Sequence, residues 1–264
     1  EVEVTPGQYA IFRGATLYAG KVPVFYMPYY KRNLKARAWD IRLTPGYKSE
    51  WGAYLLGSLR FPDNEKYKGE FNLDHRTERG FGFGPTIQYN SPKWGQGDLR
   101  LYRASDDDPL TDSRGIAIDR ERDLAQWSHR LKHGSLTATS VLNYESDEYM
   151  RRDFFEDQYR QNVQPNSYFE LSKNWSNYNL SVLAQPRVNA FYEGIQRTPD
   201  IKLSGTRHQL GNSPFYYDTE TSAGYFERRY NYSSANNDYG LFRADTLHQI
   251  YLPKTYRGWL NVTP

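Results

Sequence analysis

The stretch "NYNLSVLAQPRV" (177–188) sorts by parity. Tyr178, Leu180, Val182 and Ala184 fall on one side and Asn177, Asn179, Ser181 and Gln185 on the other, with Leu183 the one misfit. Successive side chains of a strand point to opposite faces, so this spacing predicts a ribbon with one apolar and one polar side. The same alternation runs through "WGAYLLGSLRF" (51–61), "EFNLDHR" (70–76), "FGFGPTIQYN" (81–90) and, with Val141 as an exception, "LTATSVLNY" (136–144). Further strands are expected over 98–104, 121–132, 168–175, 199–205, 222–230 and 241–252. Many of these segments approach the ~9–11 residues that a bilayer-spanning strand needs.

Turn-forming compositions separate them: "PDNEKYKG" (62–69), "SPKWGQGD" (91–98), "SDDDPLTDSRG" (105–115) and "SSANNDYG" (233–240). The segment "SDEYMRRDFFEDQYRQNVQPNS" (146–167) breaks the alternation, and its aromatics near helical spacing predict a long loop carrying a short helix. The first thirty residues hold short β-runs with a Pro-Gly turn and end in the aromatic stretch "VFYMPYY" (24–30). A break between two regions is expected in "KRNLKARAWD" (31–40), giving 1–38 and 39–264.

Composition sharpens this picture. Across 264 residues, 16% are aromatic, with 24 Tyr, 13 Phe and 6 Trp, although mean hydropathy is only −0.87. Disordered chains of such polarity are poor in aromatics, whereas large rings favour strands. The 34 Lys and Arg and 31 Asp and Glu give a net charge of +3, and they are interspersed, so no basic block points to nucleic acid. No apolar run reaches the ~18 residues of a spanning helix, but alternating strands of a membrane barrel average out as polar. Cysteine is absent, which excludes disulfides and thiolate metal sites within these residues.

Two architectures share the alternation. A soluble β-sandwich, carbohydrate-binding or structural, packs its apolar faces on each other. A membrane barrel turns them to lipid and its polar face to the lumen. Strand length, the Asn, Gln, Thr, Glu and Arg of the polar face, and aromatics near strand ends (Tyr26, Tyr29, Tyr30, Tyr144, Trp175, Trp259) point to the barrel. No catalytic motif is present, and no enzymatic activity, cofactor or metal is expected. His129 and His133, four apart on a predicted strand, lie ~13 Å from each other, too far to share an ion.

"GKVPVFYMPYYKR" (20–32) followed by "RLTPGYKSEWGAYLLGSLRF" (42–61) resembles the junction between the periplasmic domain and the barrel of the LptD family, the lipopolysaccharide-assembly proteins of the Gram-negative outer membrane. "RERDLAQWSHRLKHG" (120–134), "YESDEYMRRDF" (144–154), "YEGIQRTPDIKLSG" (192–205) and "LFRADTLHQIYLPKTYRGWLNVTP" (241–264) are similar to later segments of that family, in the same order. The resemblance implies an all-β chain: the last strands of a periplasmic β-jellyroll, then an antiparallel transmembrane β-barrel segment. It also implies about twice the strands seen in the sequence, so the segment is expected to be incomplete and open, because closure is what removes exposed strand edges in a membrane. The implied activity is non-enzymatic: lipopolysaccharide passes through a laterally gated barrel into the outer leaflet. The implied partners are lipopolysaccharide, outer-membrane lipid, an LptE-like plug lipoprotein in the lumen and an LptA-like bridge protein on the jellyroll. A porin or receptor-type barrel is the other membrane alternative.

The resemblance also assigns candidate sites. Prolines in the first barrel strands weaken a lateral gate, since proline removes a ladder donor; Pro45 stands at the matching place, at the head of a strand expected over 42–61, and Pro62 is a looser counterpart. Lys31, Arg32, Lys35 and Arg37 either pair with lipid A phosphates or serve as ordinary interfacial anchors. Phe12, Leu17, Val24 and Phe25 either line the end of an acyl-chain groove or form the core of a small sheet. The family's better-studied members carry inter-domain disulfides, for which this chain holds no cysteine.

Overall fold

The computed structural model describes residues 2–6, 9–19, 21–33, 39–62 and 66–263. They form three antiparallel sheets. The first sheet contains β1 (Val2–Thr5), β2 (Tyr9–Ala19) and β3 (Val22–Asn33) in that order. Its buried residues are Ala10 and Ile11, and a bulge falls at Leu17/Tyr18.

The second sheet has twelve strands in sequence order. They are β4 (Asp40–Lys48), β5 (Gly52–Arg60), β6 (Tyr67–Arg76), β7 (Gly80–Ser91), β8 (Gly95–Ser105), β9 (Glu121–His133), β10 (Leu136–Glu145), β11 (Tyr168–Asn174), β12 (Tyr178–Gln185), β13 (Gly194–Gln209), β14 (Tyr216–Arg229) and β15 (Tyr239–Tyr251). No pairing joins β4 to β15 among the described residues, so the sheet is open. A hairpin of β16 (Lys254–Tyr256) and β17 (Leu260–Val262) follows. The loop expected to carry a short helix carries two, α1 (Met150–Phe154) and α2 (Glu156–Gln161).

Two expectations need correction. The run 42–61 is a hairpin, not one strand: Lys48–Gly52 closes the register, and Pro45 faces Leu55. Its internal "PGYKSEWG" supplies a turn at 49–51, where Gly52 takes a positive φ of 67°. The turn expected over 91–98 shrinks to 92–94, because Gly95–Asp98 already pairs with Gln88–Ser91.

By compactness the chain divides into two units, 1–127 with 144–163, and 128–143 with 164–264. Within each, the strands pack side by side on their ladder neighbours among the described residues, and the layer that covers part of the first unit is the segment 146–163 rather than a second sheet. In the first unit the register places Ile41, Leu59, Phe71 and Pro85 in one row and Leu43, Gly57, Leu73 and Phe83 two residues along on the same face. The row between them, on the opposite face, is Arg42, Ser58, Asn72 and Gly84. In the second unit Ala138, Leu171, Val182, Ile201, Ala223 and Ala244 share a row, beside the opposite-face row Thr137, Ser172, Ser181, Lys202, Ser222 and Asp245. The parity read from the sequence thus extends sideways across four strands of the first unit and six of the second. Leu183, the misfit, stands on the polar face between Glu170 and Asp200, where a bulge begins.

Successive connections in an antiparallel ladder fall at alternate ends. In the first unit, the end of β5, the start of β6 and the turn 92–94 share one end, opposite 49–51, 77–79 and the long 106–120. In the second, 134–135, 175–177 and 210–215 oppose the longer 186–193 and 230–238.

Candidate functional site

Burial in the first unit is the reverse of a soluble sheet. The apolar rows hold exposed side chains, Ile41 at 59%, Leu73 at 58% and Phe83 at 45%, beside the half-buried Leu43, Leu59 and Pro85. The opposite face holds the buried residues, and many are charged: Asp74, Arg76, Arg79, Asp106, Arg122, Glu145, Asp147, Arg151 and Asp153. They are covered by the segment 146–163, whose Met150 and Phe154 pack on Tyr102, Ala104 and Leu124.

Arg122 is the hub. Its fully buried guanidinium donates to Asp106 Oδ2 at 2.6 Å, Asp153 Oδ2 at 2.9 Å and both oxygens of Asp147 at 2.6 and 2.9 Å. A planar fork with five N–H donors suits this task, which a lysine cannot perform. Arg79 adds a second cation, 3.4 Å from Asp106 and 3.9 Å from Asp153. Arg151, turned out of α1, donates to Glu145 at 2.7 Å and to the Asn162 and Val163 carbonyls, tying the helical segment to β10. Trp51 Nε1 donates to the Asp153 carbonyl at 2.6 Å. The Phe154 ring lies 5.2 Å from the Arg76 guanidinium and 5.3 Å from that of Arg122, cation–π contacts on a desolvated ring. Charges buried this deeply persist because nearly every one has a partner.

Tyr102 joins the hub to the wall, donating to Asp74 at 2.9 Å and accepting from Arg76 at 3.0 Å. Its phenol crosses β7 at Gly82, where a Cβ would stand 1.9 Å from the Tyr102 oxygen. Glycine at 82 is therefore a packing requirement.

At the end of the first unit that carries the 92–94 turn lie Trp39, edge-on to Phe61 at 5.2 Å, with exposed Tyr67 and Trp94. At the short-turn end of the second lie Trp175, Tyr178 and the stacked Tyr216 and Tyr251. Of the aromatics expected near strand ends, Tyr26, Tyr29 and Tyr30 belong to the three-stranded sheet, and Trp259 to the last hairpin turn.

The proposed site residues are distributed as follows. Pro45 is in β4, at the edge of the twelve-stranded sheet, where a missing N–H is tolerated. Pro62 follows the end of β5. Phe12 packs on Tyr30 at 5.9 Å, and exposed Lys31 lies over the Tyr9 ring at 4.2 Å. Phe12 pairs with Tyr30 and Ile11 with Lys31, so Phe12 and Lys31 project from opposite faces of the sheet. Leu17 and Phe25 are register partners; the side chains of Leu17, Val24, Phe25 and Arg32 lie outside the described set, as do Lys35 and Arg37 entirely. His129 and His133 are both on β9.

The buried charge network was not anticipated. In "RERDL" (120–124) the parity that Arg122 shares with Leu124 marks its face of the strand, but not the carboxylates that meet it there.

No protein-family model matches this chain, and no curated protein matches it in sequence.

Proposed function

We propose that this chain forms part of the wall of an outer-membrane β-barrel of the LptD kind, which passes lipopolysaccharide into the outer leaflet without catalysis. One observation carries the membrane reading: in the first unit the large apolar side chains of Ile41, Leu73 and Phe83 are exposed on one face, while the charged side chains of Asp74, Arg76 and Arg122 on the other are covered. A soluble sandwich hides its apolar rows under a second layer. Here the layer lies on the charged side, as in a barrel with a polar interior. In the second unit the shorter connections 134–135, 175–177 and 210–215 lie at one end and the longer 186–193 and 230–238 at the other, as in the turn and loop asymmetry of such barrels. In this reading β4 and β15 meet further strands, since an unpaired edge in hydrocarbon leaves its N–H and C=O groups without partners.

The choice of lipopolysaccharide as cargo rests on the ordered sequence blocks at 20–32, 42–61, 120–134, 144–154, 192–205 and 241–264. On that reading the three-stranded sheet belongs to a periplasmic jellyroll docking an LptA-like bridge, and an LptE-like lipoprotein contacts the lumen. Pro45, on the edge strand, stands where weak pairing would let the wall part sideways. A photo-crosslinking amino acid at Phe25 and at Pro45 of the protein in its native membrane tests the route. Adducts with lipopolysaccharide that appear only during active transport are expected. Their absence, with conductance of small solutes by the purified protein instead, assigns it to the porin or receptor class.

A further inference from the structure

We infer that the cleft at the β11–β12 turn binds one glycerophospholipid with an anionic headgroup, in the leaflet at the short-turn end of the second unit; the inference rests on the membrane reading above. Its starting point is one misplaced charge. The row Leu136, Lys173, Leu180 and Leu203 sets a single ammonium group among leucines. The next row on that face toward the strand centres is Ala138, Leu171, Val182 and Ile201, wholly apolar. Lys173 is exposed, sits 5.0 Å from the centroid of the Trp175 ring and makes no ion pair among the described residues. A lysine on a lipid-facing row either reaches the headgroup level along its own stem or meets an anion.

Beside it is an open surface cleft. Trp175, Ser176, Asn177, Tyr178, Leu203 and His208 line a cleft of about 560 Å³. No lining residue is acidic, so the cleft and Lys173 together favour a negative guest. Its walls are fixed from behind: Asn177 donates to the Thr206 and Arg207 carbonyls at 3.0 and 3.1 Å, and Asn179 donates to Asn174 at 2.7 Å. Tyr178 crosses its register partner Gly205, where a Cβ would meet the ring at 2.5 Å, and stands 5.6 Å from the His208 ring. The lining is amphipathic, with Leu203 and ring faces on one side and Asn177, Ser176 and His208 on the other. That matches the junction between acyl chain and headgroup, where Trp and Tyr settle. A phosphate there accepts from Lys173, and the glycerol and first methylenes fill the cleft.

The test titrates the intact, detergent-solubilised protein with phosphatidylglycerol, phosphatidylcholine and inorganic phosphate, read by native mass spectrometry. One phosphatidylglycerol per chain is expected to be held in preference to phosphatidylcholine, with affinity about tenfold lower in Lys173→Ala. Lys173→Arg restores binding, and Lys202→Ala, a cation on the other face, leaves it unchanged. Equal retention by Lys173→Ala, or no preference for the anionic lipid, overturns the inference. Inorganic phosphate held as tightly as the lipid reassigns the cleft to a free anion and overturns it too. A protein that stays monodisperse without detergent and takes up no lipid refutes the membrane reading itself. That outcome is distinct from an inserted protein whose lipid retention ignores Lys173.

Discussion

The two units use the same alternating strands and finish their polar faces differently. In the first, the charged face is roofed by 146–163 and its guanidinium and carboxylate groups are lost to solvent: Arg122, Asp106 and Arg151 are at most 1% exposed. In the second, the matching class of side chain stays wet. The Lys202–Glu220 pair, at 2.5 Å, has side chains 44% and 56% exposed. The comparison separates what alternation fixes, namely which face is polar, from what a loop adds, namely whether that face is dry. A dry face must pair its charges; a wet one need not.

The largest effect that tests this contrast is at the hub. Arg122→Ala strands three buried carboxylates, and a loss of about 3–5 kcal/mol in a denaturant titration of the detergent-folded protein is expected. A loss below about 1 kcal/mol would mean that the roof is not closed. Next comes the wall beneath it. Gly82→Ala pushes the Tyr102 phenol off β7 and is expected to cost about 1–3 kcal/mol, most of it relieved in the double variant with Tyr102→Ala, whose coupling shows in a double-mutant cycle. Lys202→Ala, in the wet unit, is expected to change stability by less than about 1 kcal/mol, and that little to fade with added salt.

The smallest effect is a pH dependence in the 230–238 loop. The Tyr230 N–H, at 2.8 Å, and the Arg229 guanidinium, at 3.0 Å, hold the Asp238 carboxyl below the usual carboxylate range. A depressed folded value stabilises at pH above the ordinary value of about 3.9 and is lost as pH falls through the lowered one. Asp238→Asn should therefore match wild type at acid pH and fall slightly below it near neutrality. Amide exchange at Tyr230 is the readout; a gap that widens on acidification would contradict the assignment.

Much of the sheet was legible because its signal is local. Parity alone placed Tyr178, Leu180 and Val182 together, and the register then aligned Val182 with Leu171 and Ile201. The strand 40–48 was merged with its neighbour into one run, 42–61, although the chain runs extended through Pro45 and Gly46 and turns only at 49–51. Proline at a sheet edge leaves no internal ladder donor missing, which a linear reading cannot know. The charge hub was illegible for another reason. Asp106, Arg122, Asp147 and Asp153 come from two strand ends and a loop, and only the folding back of 146–163 brings them within 3 Å of one guanidinium. Sequence spacing carries no trace of that distance. The aromatics Tyr149, Phe154, Phe155 and Tyr159, near helical spacing, did announce helical turns in 146–167.

The account stands or falls on what touches the exposed apolar rows. The chain has no cysteine, so single spin-labelled cysteines are unambiguous reporters. Labels at Leu73, Phe83 and Val182, and at their opposite-face neighbours Asn72, Thr86 and Ser181, can be compared in bilayers for collision with oxygen and with a water-soluble nickel chelate. The account predicts oxygen-rich, nickel-poor environments at the first three and the reverse trend at Asn72, Thr86 and Ser181. Nickel access equal on both faces, or Leu73 and Phe83 shielded from both reagents, would contradict it.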